Sequence, residues 1–244
     1  MKYFIFLALF AATYAARVQD DKIVGGYECR KNSVPYQVYL NPGFGFCAGA
    51  LISRTWVVAS AHCFHFNMKV HLGEHDLNVD EGTEQIIDAE KIIRHPDSVL
   101  GHLNDNDIML VKLSKPATLN NYVRTVSLPT SCAVAGTKCL ISGWSGWREN
   151  NYSTPLMCLD VPILSDTSCN SSYPGLISSN MFCAESIEED TNSCKYDYDT
   201  PLVCNGQLQG LRSWGEDCVW GNAPAVYTKV CKFTSWIREI MMSE

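Results

Sequence analysis

The chain has 244 residues, 46% of them apolar and 18% charged, with a formal net charge of −7. This is enough material for a sizeable core in one or two domains. The acidic balance argues against nucleic acid or an anionic membrane surface as a partner. The composition has no long charge run, low-complexity tract or repeat.

Lys2 opens the chain, and an apolar run from Tyr3 to Ala12 leads into the small residues of Thr13-Tyr14-Ala15-Ala16. This pattern predicts a secretory signal over 1–15, and the run is shorter than the roughly 20 residues a membrane span needs. The expected localisation is therefore secreted and extracellular. Twelve cysteines follow: Cys29, Cys47, Cys63, Cys132, Cys139, Cys158, Cys169, Cys183, Cys194, Cys204, Cys218 and Cys231. An even, dense set in an exported chain implies disulfides. Zinc is disfavoured because no C-x-x-C pair exists.

Short β-prone runs recur along the chain: Trp56-Val57-Val58, Ile86-Ile87, Ile108-Met109-Leu110-Val111, Leu140-Ile141 and Ala225-Val226-Tyr227. Gly, Pro, Asn and Asp separate them, which predicts an all-β sandwich or barrel. A break near Ser127-Leu128-Pro129-Thr130 divides the chain into comparable halves, about 23–127 and 128–244. Near the end, Phe233, Trp236, Ile237, Ile240 and Met241 recur at helical spacing, which predicts a C-terminal helix packed by that face on the core.

Three blocks carry a family resemblance. Ile23-Val24-Gly25-Gly26 follows Asp20-Asp21-Lys22. Trp56-Val57-Val58-Ala59-Ser60-Ala61-His62-Cys63 and Asp107-Ile108-Met109-Leu110-Val111-Lys112-Leu113 come next in order. With smaller matches such as Ser213-Trp214-Gly215, the chain over 23–244 resembles trypsin-like serine proteases, and the trypsinogens most of all. The resemblance implies two antiparallel six-stranded β-barrels with a cleft between them and a C-terminal α-helix. It implies a propeptide over 16–22, cut after Lys22, whose removal frees Ile23 to pair with Asp197. It also implies disulfides Cys29–Cys158, Cys47–Cys63, Cys132–Cys231, Cys139–Cys204, Cys169–Cys183 and Cys194–Cys218. His62 would be the general base and Asp107 the carboxylate that orients it.

The family's third block departs. Its Cys-x-Gly-Asp-Ser-Gly-Gly-Pro frame reads here Cys194-Lys195-Tyr196-Asp197-Tyr198-Asp199-Thr200-Pro201. Tyr198 stands in the nucleophile's place, and Tyr196 at a glycine whose backbone helps form the oxyanion hole. A tyrosine oxygen lies a ring farther from the backbone than a serine Oγ, and losing the serine costs roughly 10⁶ in turnover. The expectation from these residues is a chain that is not an enzyme, a pseudoprotease that binds an extracellular protein through its scaffold. The alternative is an atypical hydrolase with weak residual activity using His62 and Asp107. A decoy for protease inhibitors is disfavoured because it needs an open pocket for a basic residue.

The specificity pocket departs too. Asn192 occupies the floor where trypsins keep an aspartate, Arg212 the place of a wall valine and Ala225 that of a rim glycine, while Gly215 is kept. Two arrangements stand open for Arg212: a partial plug of the pocket, with Asp199 or Asp217 as partner, or a side chain turned to solvent. The segment Glu74–Glu84 resembles the family's calcium loop, with carboxylates from Glu74, Glu81 and Glu84 and backbone carbonyls of Asp76 and Val79. Asn151-Tyr152-Ser153 and Asn170-Ser171-Ser172 match the N-glycosylation sequon. A monomer is expected.

Overall fold

The computed structural model describes residues 26–43, 45, 47–99, 101, 104–144, 155–185, 200–215 and 223–244. Among these residues thirteen strands run in chain order: β1 Tyr27–Glu28, β2 Gln37–Asn41, β3 Cys47–Leu51, β4 Trp56–Ala59, β5 Lys69–Leu72, β6 Gln85–Arg94, β7 Met109–Leu113, β8 Lys138–Gly143, β9 Met157–Pro162, β10 Met181–Ala184, β11 Pro201–Cys204, β12 Gln207–Trp214 and β13 Ala225–Lys229. Among the described residues the α-helices are α1 Asp166–Ser172 and α2 Thr234–Ser243. The signal segment, the cut at Lys22 and Ile23, and the block 194–199 lie outside the described residues.

Among the described residues every pairing between these strands is antiparallel, and the strands form two sheets. The first is a closed barrel in the order β2-β3-β4-β7-β6-β5. Its β4 is buried on both faces, which explains the unbroken apolar run Trp56-Val57-Val58-Ala59. The second sheet runs β1-β9-β8-β11-β12-β13-β10. An antiparallel bridge from Ile163 to Ala184 draws its β9 and β10 ends together, with Leu164 N–H donating to the Cys183 carbonyl at 2.9 Å. The fold is thus the expected all-β pair of antiparallel sheets. One difference is that the second sheet carries a seventh strand, because β1 from the chain's start joins its edge at β9.

Each sheet encloses its own core. Val38, Leu40, Val57, Met109 and Val111 fill the first, while Ile141, Leu159, Phe182, Leu202 and Tyr227 fill the second. A third cluster joins Trp56, Ile108 and Leu110 of the first half to Leu208, Leu211 and Ile237 of the second. The helix α2 presents Phe233 and Ile237 to this seam, with Trp236, Ile240 and Met241 packed beside them, as the apolar stripe predicts. The short α1 has no such stripe. What marks it is a cap: the Ser165 Oγ accepts the Ser168 N–H at 3.0 Å.

Five disulfides staple the described residues: Cys29–Cys158, Cys47–Cys63, Cys132–Cys231, Cys139–Cys204 and Cys169–Cys183. The sixth expected pair, Cys194–Cys218, lies outside them.

Candidate active site

The strand β4 ends at Ala59, and a short 3-10 turn, Ala61–Cys63, follows. The Cys47–Cys63 bond pins the end of that turn to β3. His62 therefore leaves the barrel at its seam with the second sheet, its side chain 25% exposed while that of Asp107 is fully buried. On the far side, Ser60 Oγ donates to the Arg212 carbonyl at 2.8 Å, tying this turn to β12.

Asp107 lies just before β7 and is gripped from several directions. Its Oδ1 accepts the His62 backbone N–H at 2.9 Å, and its Oδ2 lies 2.7 Å from His62 Nδ1. Ser213 Oγ donates to the same Oδ2 from β12, and Thr228 Oγ1 donates to the Asp107 carbonyl at 3.0 Å from β13. An ionised carboxylate only accepts, so Nδ1 carries the proton of that bond and Nε2 keeps a lone pair. Both halves of the molecule thus hold one carboxylate, and that carboxylate sets the tautomer of one imidazole. Ser213 and Thr228 had no assigned role at the sequence level; Ser213 sits inside the Ser-Trp-Gly block already noted, which is the signal that points to it.

Arg212 lies on β12 opposite Tyr227 of β13 and is 2% exposed. The solvent-turned arrangement is therefore not the one adopted. Its backbone N–H donates to the Thr200 carbonyl at 3.0 Å. Burial pushes the Tyr227 hydroxyl up to about 12, and the neighbouring Arg212 charge opposes that shift. Ala225 is buried at the start of β13. Gly215 faces Ala225, Pro224 and the Tyr173 hydroxyl, each about 3.5 Å from where a β-carbon would sit. Asn192, Tyr196, Asp197, Tyr198 and the sequon at Asn151 lie outside the described residues. Asn170 is exposed on α1, where its Nδ2 donates to the Asp166 carbonyl at 2.8 Å.

The acidic loop is more occupied than the resemblance implies. Glu74 Oε1 lies 3.1 Å from His71 Nδ1, and Glu81 Oε1 lies 2.7 Å from the Lys31 ammonium. Glu84 takes the N–H groups of Glu81 and Thr83, each at 2.7 Å. Burial alone would raise the Glu84 carboxyl, but these and neighbouring backbone N–H groups hold it below its ordinary value. Asp76 accepts the Val79 N–H through its carbonyl at 3.0 Å, and Val79 itself is exposed. Among the described residues no three His, Cys, Asp or Glu side chains converge as a metal site. One feature does fit a cation: Glu81 Oε2 is buried with no hydrogen-bond partner, in a donor set made of hard oxygens.

An imidazole held by a buried carboxylate, at the seam of two antiparallel β-sheets, is an arrangement that can serve general-base chemistry. The family model for trypsin matches residues 23–237, and the chain belongs to that family. It is 58% identical over 238 residues to "Trypsin-3" of Salmo salar, covering 96% of this chain and 100% of that protein. It is 56% identical over 243 residues to "Cationic trypsin-3" of Rattus norvegicus, covering 98% of each chain. "Trypsin" of Sus scrofa is 57% identical over 222 residues, 90% of this chain and 96% of its own.

These relatives overturn the expectation of a chain that is not an enzyme. Proteins named as trypsins match it at this identity across almost their full length, and they point to a functional protease. The physical reason lies in where the expectation rested. It rests on Tyr198 and its neighbours, whereas His62, Asp107 and the groups that hold them are brought together from both halves.

Proposed function

We propose that the chain is a secreted hydrolase of the trypsin family that cleaves peptide and ester bonds with His62 as general base. The observation that supports this most directly is the 2.7 Å contact between His62 Nδ1 and the buried Asp107 carboxylate, backed by Ser213. In this reading Nε2 removes a proton from the attacking oxygen as it adds to the carbonyl, then returns it to the leaving group. Asp107 keeps the imidazole oriented and stabilises its charged form. With Tyr198 in the frame where the resemblance places a serine, the attacking oxygen is that of a water, and turnover is slow. Peptides released from an extracellular protein are the expected products.

Residues 1–15 would be removed on export and 16–22 by a cut after Lys22, letting Ile23 reach Asp197. Asn192 stands where the resemblance places the floor carboxylate, and the bulk of the buried Arg212 replaces a wall valine, so side chains of Lys and Arg are rejected. Glu74, Glu81 and Glu84, with the carbonyls of Asp76 and Val79, would hold a structural calcium once Lys31 gives way. Millimolar calcium would then raise the melting temperature, and an unchanged value removes this part.

The central test is ester hydrolysis by recombinant, processed protein. The rate should be measurable and should vanish in His62→Ala. An equal rate in that variant refutes the proposal. Labelling of Tyr198 by a phosphonofluoridate probe would replace water with a covalent route.

A further inference from the structure

Asp107 closes a turn with unusual backbone geometry. Asn104 and Asn106 both adopt left-handed torsions, with φ of 33° and 53°. Asparagine tolerates this region better than most residues but does not by itself hold a turn there. The Asn106 side chain is stretched between two anchors. Its Nδ2 donates to the Asp97 carbonyl at 3.0 Å, and its Oδ1 accepts Nδ2 of Asn180 at 3.1 Å.

Asn180 belongs to the other half, in the segment entering β10. It is fixed there independently, because its carbonyl accepts the Lys229 N–H at 2.7 Å and its N–H donates to Ser178 Oγ at 3.2 Å. Ser178 in turn donates to Asp105 Oδ1 at 2.8 Å, and the Asn106 N–H donates to the same oxygen at 3.0 Å. The Asn106 carbonyl accepts the Ile108 N–H at 2.8 Å, so the turn is closed on both sides of Asp107. Ser213 and the His62 N–H grip the carboxylate itself. The amide pair grips the backbone that carries it.

We propose that Asn180 and Asn106 are positioning residues for Asp107. Their amide-to-amide bond across the two halves sets the left-handed turn that aims the carboxylate at His62. This inference rests on the reading of His62 and Asp107 as the proton-transfer pair. A misplacement of about 1 Å at such a pair costs on the order of 10²-fold in rate. Without the bond, the Asn106 side chain keeps only its Asp97 anchor, and the turn is tied to the second half through Asp105 and Ser178 instead.

The test uses the full secreted chain and a readout that needs no turnover. The proton shared by His62 Nδ1 and Asp107 gives a low-field resonance in proton NMR, whose position reports that bond. Asn180→Ala removes the donor, and Asn106→Gly keeps the torsion accessible while deleting the acceptor together with the bond to Asp97. Both variants should shift the resonance upfield and broaden it. Leu156→Ala, a truncation in a core cluster that holds none of these residues, should lower the melting temperature and leave the resonance in place. An unchanged resonance in either asparagine variant, or an equal change in Leu156→Ala, overturns the assignment. If the protein proves unable to hydrolyse esters, the proposed function fails on that result while the resonance still decides this one.

Discussion

Gly143 and Thr200 offer a sharp test of how the second sheet accommodates its altered loop. A β-carbon built on Gly143 would sit 2.6 Å from Thr200 Cγ2, and among the described residues nothing but Thr200 lies within 4 Å. Carbon atoms in contact settle at about 3.5–4.0 Å, so Gly143→Ala forces a shift of about 1 Å. Thr200 is poorly placed to yield. It is buried, stiff at χ1, and its carbonyl accepts the Arg212 N–H. Gly143→Ala should therefore cost about 1–3 kcal/mol, as overpacked sites do.

The sign should reverse once the threonine is gone. Gly143 is not among the glycines with positive φ, so alanine suits its backbone. In a Thr200→Gly background the same substitution should stabilise by about 0.4–1 kcal/mol, through the lower entropy of the unfolded chain. The coupling then exceeds about 1.4 kcal/mol, within the range known for residues in contact. Guanidinium denaturation of the four proteins, disulfides intact, measures it through midpoints at constant slope. Equal costs in both backgrounds would refute the reasoning.

Other outcomes follow from the same structure. His95 packs between Phe233 and Trp236, and burial lowers its pKa below 6.5, with Asp97 pulling the other way. Below pH 6.5 the unfolded chain binds more protons at this site, so stability falls as pH drops towards the folded value. Melting temperatures across that window should decline more steeply for the native chain than for His95→Gln, and parallel curves would remove the effect. Ile237→Ala should cost about 2–5 kcal/mol by chemical denaturation, since the side chain is fully buried at the seam. Replacing both Cys132 and Cys231 by alanine opens a link spanning 99 positions and should cost about 2–5 kcal/mol. Benzamidine should bind weakly, and binding as tight as to an open pocket with a floor carboxylate would contradict the role given to Arg212.

Much of the architecture was legible because the sequence carries two clear periods. Buried runs such as Trp56–Ala59 mark strands covered on both faces, and the Phe233–Met241 stripe marks the final helix. The short α1 escaped because its seven residues are set by a serine cap, without an apolar face. The site was legible where a residue sits in a distinctive block, as His62 and Asp107 do. Thr228, Asn106 and Asn180 were not, because their importance comes from hydrogen bonds that join distant parts of the chain. Function was misjudged where one substituted loop was weighed without the supports that surround the base.

The outermost described elements cross over between the halves. The strand β1 pairs with β9 and is bonded to it through Cys29–Cys158, so the first half's leading segment belongs to the second sheet. The helix α2 packs against Trp56 and Leu110 at the seam, and the Glu244 carbonyl accepts the Lys112 ammonium at 2.7 Å. Each half thus wears the other's outermost described element as a buckle. A protease nick near Leu128 would leave two fragments still clasped at both ends, and neither would be expected to survive as a separate module in a chimaeric gene.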